Sequence, residues 1–189
     1  MKMVNAQLDM AVLKLIECFK SGCKLMVCGN GGSSSDSAHI VGELVKGFMS
    51  KRPLSADLVE KIGQPWAQNL QMGLPAIDLT ANNALIGAVA NDQDGLLPYA
   101  QQVMAYARPG DVLLGISTSG NAENVVRAMI TARALGAKCV ALTGRDGGKM
   151  RQYADVLLNV DETETYKVQE KHLPLYHQLC MRVEKRIFG

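Results

Sequence analysis

The chain has 189 residues, 48% of them apolar, and its 20 Lys and Arg against 18 Asp and Glu leave a formal net charge of +2. That length fits one domain with a sizeable core, and such an even balance excludes the basic tail or stripe that nucleic acid binding demands. No apolar run approaches the roughly 20 residues of a membrane span, and Asp9 and Glu17 interrupt the apolar N-terminal positions, so neither membrane association nor a signal peptide is expected and the protein reads as cytoplasmic.

Val4, Leu8, Val12, Leu15 and Phe19 recur at helical spacing and predict an N-terminal helix that Ser21-Gly22 ends. Five short apolar runs follow: KLMVC (24–28), PAIDL (75–79), DVLLGIS (111–117), KCVALTG (138–144) and ADVLLNV (154–160). Rich in Val and Leu and without polar alternation, they read as strands buried on both faces. Helical periodicity fills the gaps, at 34–48, 83–90, 96–107 and 121–135. Strand and helix in such alternation predict a parallel α/β sheet with helices on both sides. A last amphipathic segment, 164–187, carries Leu173, Tyr176, Leu179, Val183 and Ile187 and predicts a terminal helix that Pro174 should kink or restart. The stretch 52–75 is long for a connection. Leu58, Ile62, Trp66 and Leu70 fall four apart there, so part of it is expected to be helical. Trp66, the single tryptophan, either anchors a partner subunit or packs within the chain. The five cysteines, Cys18, Cys23, Cys28, Cys139 and Cys180, form no CxxC and read as reduced thiols filling the core. Neither an internal repeat nor a domain linker is evident.

Ligands of open parallel sheets gather beyond the carboxyl ends of the strands. Here those ends carry GNGGSSSD after the first strand, STSGN (117–121) after the third and TGRDGG (143–148) after the fourth. Each joins glycine, which lets backbone N–H groups approach closely, to hydroxyls or amides. The first two open directly into helices, whose N-termini favour anions. A P-loop needs Gly-Lys-Ser/Thr, and residues 29–36 hold no lysine; GxGxxG fails because Ser34 stands at the third glycine. One such loop alone is ordinary turn chemistry. Two at adjacent strand ends predict a bound phosphate ester that is not a nucleotide.

With CGNGGSSSDSAH (28–39), GDVLLGISTSGN (110–121), ALTGRDGGKM (141–150) and KVQEKHLPLYH (167–177) in view, the chain resembles the phosphoheptose isomerases, sugar isomerase (SIS) domain proteins that interconvert sedoheptulose 7-phosphate and a heptose 7-phosphate. The resemblance runs from about residue 10 to the end. It implies a three-layer sandwich around a five-stranded parallel flavodoxin-like sheet, with extra N- and C-terminal helices, in a homotetramer whose active sites lie between subunits. By resemblance Ser33, Ser117, Thr118 and Ser119 hold the phosphate, and Asn30, Gly31, Gly32, Asn91 and Asp92 line the sugar. His39, Glu43, Gln169 and His177 match zinc-binding positions, one ion per subunit, with Gln169 also beside the substrate, and Glu43 and His177 match the catalytic pair. The chain departs from the family pattern at Ala122, where a further serine is common; at Lys46-Gly47, where an arginine is common; and in an insertion at about 54–74.

Aldose–ketose isomerisation moves a proton between C1 and C2 through an enediol, so it needs a base, an acid and something to stabilise the developing oxyanion. His39 and Glu43 are four apart and share one helix face. Alone such a pair is an ordinary surface ion pair; its place one to two turns beyond the glycine loop makes it a candidate for the chemistry. Two histidines, a carboxylate and an amide oxygen also suit zinc, while a cation on Glu43 would weaken it as a base. Zinc-assisted and metal-free acid–base catalysis both stay open. His172 points away from His177 in an unbroken helix and reads as a solvent or interface residue. Asp36, in the first turn of its helix, and Asp146, in a glycine-rich turn, read as structural. A non-catalytic sugar-phosphate binder and an isomerase of another sugar phosphate are the rival functions.

Overall fold

The computed structural model describes residues 2–189, with side chains from residue 6 onward, so that Val4 of the first helical stripe lies outside the described side chains. Five parallel strands, β1 (Leu25–Gly29), β2 (Ala76–Asp78), β3 (Val112–Ser117), β4 (Lys138–Thr143) and β5 (Val156–Asn159), form one sheet in the order β2-β1-β3-β4-β5. All five predicted runs are strands. The order reverses between β1 and β3, and that switch point is where a crevice must open at the carboxyl ends.

Alternate residues of each strand supply two cores. Leu25, Val27, Val112, Leu114, Ile116, Val140 and Leu142 face one side, and Met26, Cys28, Leu113, Cys139 and Ala141 the other. Helices α1 (Lys2–Lys20), α2 (Gly32–Val45) and α7 (Thr165–Phe188) cover the first face, with α1 and α7 packed together; α4 (Asn83–Asp92), α5 (Pro98–Tyr106) and α6 (Glu123–Ala134) cover the second. All five cysteines are free, and only Cys23 is not fully buried.

Three expectations change. Helix α7 runs unbroken through Pro174. Pro174 lies on the exposed side, where the carbonyl it deprives of a partner can face water. Leu173 is exposed too, and His172 takes its place in the buried stripe with Val168, Leu175, Tyr176, Leu179 and Val183. Helix α2 begins at Gly32, so Asp36 stands in its second turn rather than its first.

The 52–75 stretch is helical only in part. Gly63, at φ 66°, ends the short helix α3 (Ala56–Ile62), and a 3₁₀ turn follows at Pro65–Asn69. Its ends are tied by the antiparallel bridge of Pro53 with Gln71. No residue of α3 is buried, and Trp66 is 54% exposed, so it does not pack within the chain. What anchors the neighbourhood is Arg52. Its buried guanidinium donates from Nε to Glu184 Oε1 at 2.9 Å and from Nη1 to the Leu44 carbonyl at 2.7 Å, joining the end of α2 to α7.

Candidate active site

β1 ends at Gly29 and turns at once into α2. A Cβ on Gly29 would stand 2.7 Å from the Ser33 carbonyl oxygen, so only glycine lets the strand end and the helix start pass each other. Beyond the β1 and β3 ends lies a half-open cavity of about 380 Å³. Of the residues predicted to hold a sugar phosphate, Asn30, Gly31, Gly32, Ser33, Ser117, Thr118 and Gln169 line it; Ile116, Ala122 and Thr165 complete its wall. Three helices open there, α2 at Gly32, α6 just after Ala122 and α7 at Thr165, and no side chain caps any of them. Ser55 and Asn82, by contrast, cap α3 and α4. In α2 the Ser33 and Ser34 N–H groups donate to the Asn30 and Gly31 carbonyls at 3.0 Å and in α6 Val125 donates to Asn124 Oδ1 at 3.0 Å; the other first-turn N–H groups at the cavity are those an anion would take.

Asn30 is fixed by reciprocal amide bonds with Asn124, each 2.9 Å, while the Tyr99 hydroxyl donates to the Gly29 carbonyl at 2.7 Å. Ser119 lies in an adjoining recess with Thr118, its Oγ accepting from the Asn121 N–H at 3.2 Å. The turn there needs Gly120, which sits at φ 67° against the backbone of Gly147. Asn91 and Asp92 stand apart from these residues. They end α4, exposed and bonded to each other at 2.7 Å, and they do not line the cavity.

Helices α2 and α7 run side by side from the cavity. Gln169 lies against Gly32, whose missing Cβ makes room for its amide. Two turns further along, His39 meets His177, with their Nε2 atoms 3.4 Å apart, and His39 Nε2 is also 3.2 Å from Glu43 Oε1. Lys46 Nζ stands 3.6 Å from Glu43 Oε2, too far to bond, and that oxygen is buried without a hydrogen-bond partner. On the far side of the His39 ring, Nδ1 is 3.0 Å from the Tyr176 hydroxyl. The Phe48 ring covers His177 at 5.6 Å between centroids.

Tetrahedral zinc with Zn–N bonds of about 2.0–2.1 Å spaces its ligand atoms roughly 3.3–3.4 Å apart. The His39–His177 and His39–Glu43 separations, 3.4 and 3.2 Å, are close to that edge length. Among the described residues no closed group of three His, Cys, Asp or Glu donors stands ready for a cation. What is preformed is two edges sharing His39, and an orphaned carboxylate oxygen on Glu43 that a cation would satisfy. The donor set fits.

Residues 63–144 match the SIS domain family. The phosphoheptose isomerase of Geotalea daltonii is 40% identical over 180 residues, spanning 95% of this chain and 84% of that protein. The solved phosphoheptose isomerase of Neisseria gonorrhoeae superposes with a TM-score of 0.81 at 33% identity, covering 97% of this chain and 88% of that one. The chain belongs to the phosphoheptose isomerase family. Against the solved phosphoheptose isomerase of Francisella tularensis the TM-score is again 0.81, at 31% identity over 95% of this chain and 86% of that one. Among the described residues no helix is long and apolar enough to cross a membrane.

For a phosphoheptose isomerase family member, sequence reasoning missed the supports more than the groups they hold. Asn124 and Tyr99, which position the glycine turn, carry no motif. Tyr176 reads from periodicity as a core residue, and it is buried, yet its hydroxyl meets His39; its place beside His177 was the available signal. His172 is a correction. It is wholly buried rather than at the surface, because the side of α7 opposite His177 packs on the strand ends, not against water. Neither ring nitrogen has a hydrogen-bond partner. Burial pushes its pKa below the ordinary 6.5, and the Thr143 backbone beside it offsets only part of that.

Proposed function

We propose that the protein is an aldose–ketose isomerase that interconverts sedoheptulose 7-phosphate and D-glycero-D-manno-heptose 7-phosphate through an enediol. The observation that carries this is the pairing of two rungs along α2 and α7: the cavity rung, where Gln169 of α7 lies against Gly32 at the start of α2, and the His39–Glu43–His177 group two turns on. Seven to eight residues of helix separate the rungs by about 10–12 Å. An extended sugar advances about 1.2 Å per bond, so a seven-carbon chain with its phosphate at the first rung brings C1 and C2 to the second. A pentose phosphate falls short by more than about 2 Å on the same count.

In this reading Ser33, Ser117, Thr118 and Ser119 hold the phosphate with the helix N–H groups, and Asn30, Gly31, Gly32 and Gln169 line the chain. Glu43 removes the C1 proton of the ketose and returns it to C2. His177 exchanges a proton with the sugar oxygens as the carbonyl moves, and the two groups need only small displacements because the carbon atoms are neighbours. His39, Glu43 and His177 would hold one zinc per subunit, with Gln169 as a further ligand once its amide turns from Gly32 toward His177, and the ion when bound would polarise those oxygens. Asn91 and Asp92, exposed and away from the cavity of their own chain, are assigned to the site of a neighbouring subunit in a homotetramer. We further assign residues 1–189 to one SIS domain, with 54–74 as its insertion, acting in the cytoplasm. An isomerase of a different sugar phosphate is the second reading, favoured by Ala122, which puts a methyl group into the cavity wall. A panel of five-, six- and seven-carbon ketose phosphates decides between them. The proposal predicts the highest kcat/KM for sedoheptulose 7-phosphate, and a higher value for a shorter ketose would reject it.

A further inference from the structure

Asn30 carries an amide to the cavity wall, and an amide can present either its carbonyl or its N–H groups to a ligand. What decides between them is Asn124, which does not itself line the cavity. Asn124 Oδ1 accepts from the Val125 N–H in the first turn of α6 at 3.0 Å. A backbone N–H only donates, so that end of the Asn124 amide must be the oxygen. The same Oδ1 accepts from Asn30 Nδ2, and Asn124 Nδ2 donates to Asn30 Oδ1, each at 2.9 Å.

The Tyr99 hydroxyl, whose hydrogen points to the Gly29 carbonyl at 2.7 Å, also stands 3.2 Å from Asn30 Oδ1. The Asn30 oxygen thus has a donor on two sides. Of the two hydrogens on Asn30 Nδ2, one goes to Asn124 and the other has no acceptor among the described residues. Turning the Asn30 amide over would set N–H against N–H and oxygen against oxygen, exchanging two hydrogen bonds for two repulsions. We propose that Asn124 is a positioning residue for the sugar: it passes the direction of the Val125 N–H across the amide pair and holds Asn30 with an N–H toward the cavity, as a donor to an acceptor oxygen of the sugar chain. Ser117, Thr118 and the helix N–H groups take the phosphate end, so the Asn30 donor serves the chain rather than the ester. The inference rests on the reading that a ketose phosphate occupies this cavity.

Calorimetry on the full-length protein as wild type, Asn124→Ala, Asn30→Ala and the double variant tests this, with inorganic phosphate, fructose 6-phosphate and sedoheptulose 7-phosphate as probes. Each single variant should bind the ketose phosphate about three- to tenfold more weakly, the worth of one neutral hydrogen bond, and inorganic phosphate within about twofold of wild type. Asn124→Ala should add no further loss in the Asn30→Ala background, because its effect runs through that amide. A merely structural loosening of α6 would persist there, so additive losses overturn the proposal, as does an equal loss of inorganic phosphate. The donor is read from the nitrogen-15 and proton signals of the Asn30 side-chain amide, identified by their absence from Asn30→Ala. Ketose phosphate should shift the N–H that is not bonded to Asn124; both signals unmoved would overturn the assignment. Wild type that binds fructose 6-phosphate and not sedoheptulose 7-phosphate rejects the seven-carbon reading alone, and the four proteins are then compared on the six-carbon ester. Wild type that binds neither ester overturns both.

Discussion

Replacing Arg52 by Met removes the cation that ties the end of α2 to α7. The guanidinium is buried; it binds Glu184 through Nε at 2.9 Å and Nη2 at 2.8 Å, caps the Leu44 carbonyl at 2.7 Å, and lies 4.6 Å over the Phe188 ring. Without it Glu184 stays buried with only the Phe48 and Met49 N–H groups, each at 2.8 Å, to hold its charge. Breaking a buried, hydrogen-bonded pair on one side costs about 3–5 kcal/mol. In a chain of this size 1 kcal/mol shifts Tm by about 2–4 °C, so a drop on the order of 10 °C is expected. Adding Glu184→Gln removes the stranded charge but keeps an acceptor for both N–H groups, so the double variant should regain a large part of the loss. Urea unfolding followed by circular dichroism at one protein concentration measures all three proteins. Arg52→Met within about 1 kcal/mol of wild type, or a double variant less stable than Arg52→Met, would refute this reasoning.

Three further expectations follow from buried groups and the glycine turns. His172 is buried with its pKa below 6.5, so the folded protein takes up its proton less readily than the unfolded chain and stability falls as pH drops below about 6.5, by up to about 1.4 kcal/mol per pH unit; a His172→Asn variant should lose that slope in urea melts between about pH 7 and 5.5. Burial pushes Cys18, Cys139 and Cys180 up to about 12 and Cys28 higher still, so a chromogenic disulfide should modify one thiol, Cys23, quickly in the native protein, and four rapid equivalents would contradict the packing. Gly120→Ala forces a side chain into the Gly147 backbone at a left-handed position, and should cost at least about 1–3 kcal/mol and abolish phosphate-ester binding by calorimetry.

Legibility followed burial. The five strands were readable because both faces of each are covered, which fills them with Val and Leu, and β1 and β3 then placed the glycine loops where a ligand belongs. The His39–Glu43 pairing was readable from a four-residue spacing within one helix. Its meeting with His177 was not, since it depends on how α2 and α7 pack across 138 positions of sequence. Pro174 misled because the rule against proline in helices assumes a carbonyl with nowhere else to turn, whereas this one lies on an exposed side. His172 misled because pointing away from one site was equated with pointing at water. Asn91 and Asp92, picked out by the family pattern alone, are exposed at the end of α4, bonded to each other and away from the cavity.

Turnover of sedoheptulose 7-phosphate in deuterium oxide by the wild type and Glu43→Gln probes the account most directly. Wild-type product should carry deuterium at C2 of the aldoheptose phosphate, and the folded variant should incorporate none. Equal labelling by the two proteins would show that a different group moves the proton, and that the convergence of Glu43 with the two imidazoles is not the catalytic centre.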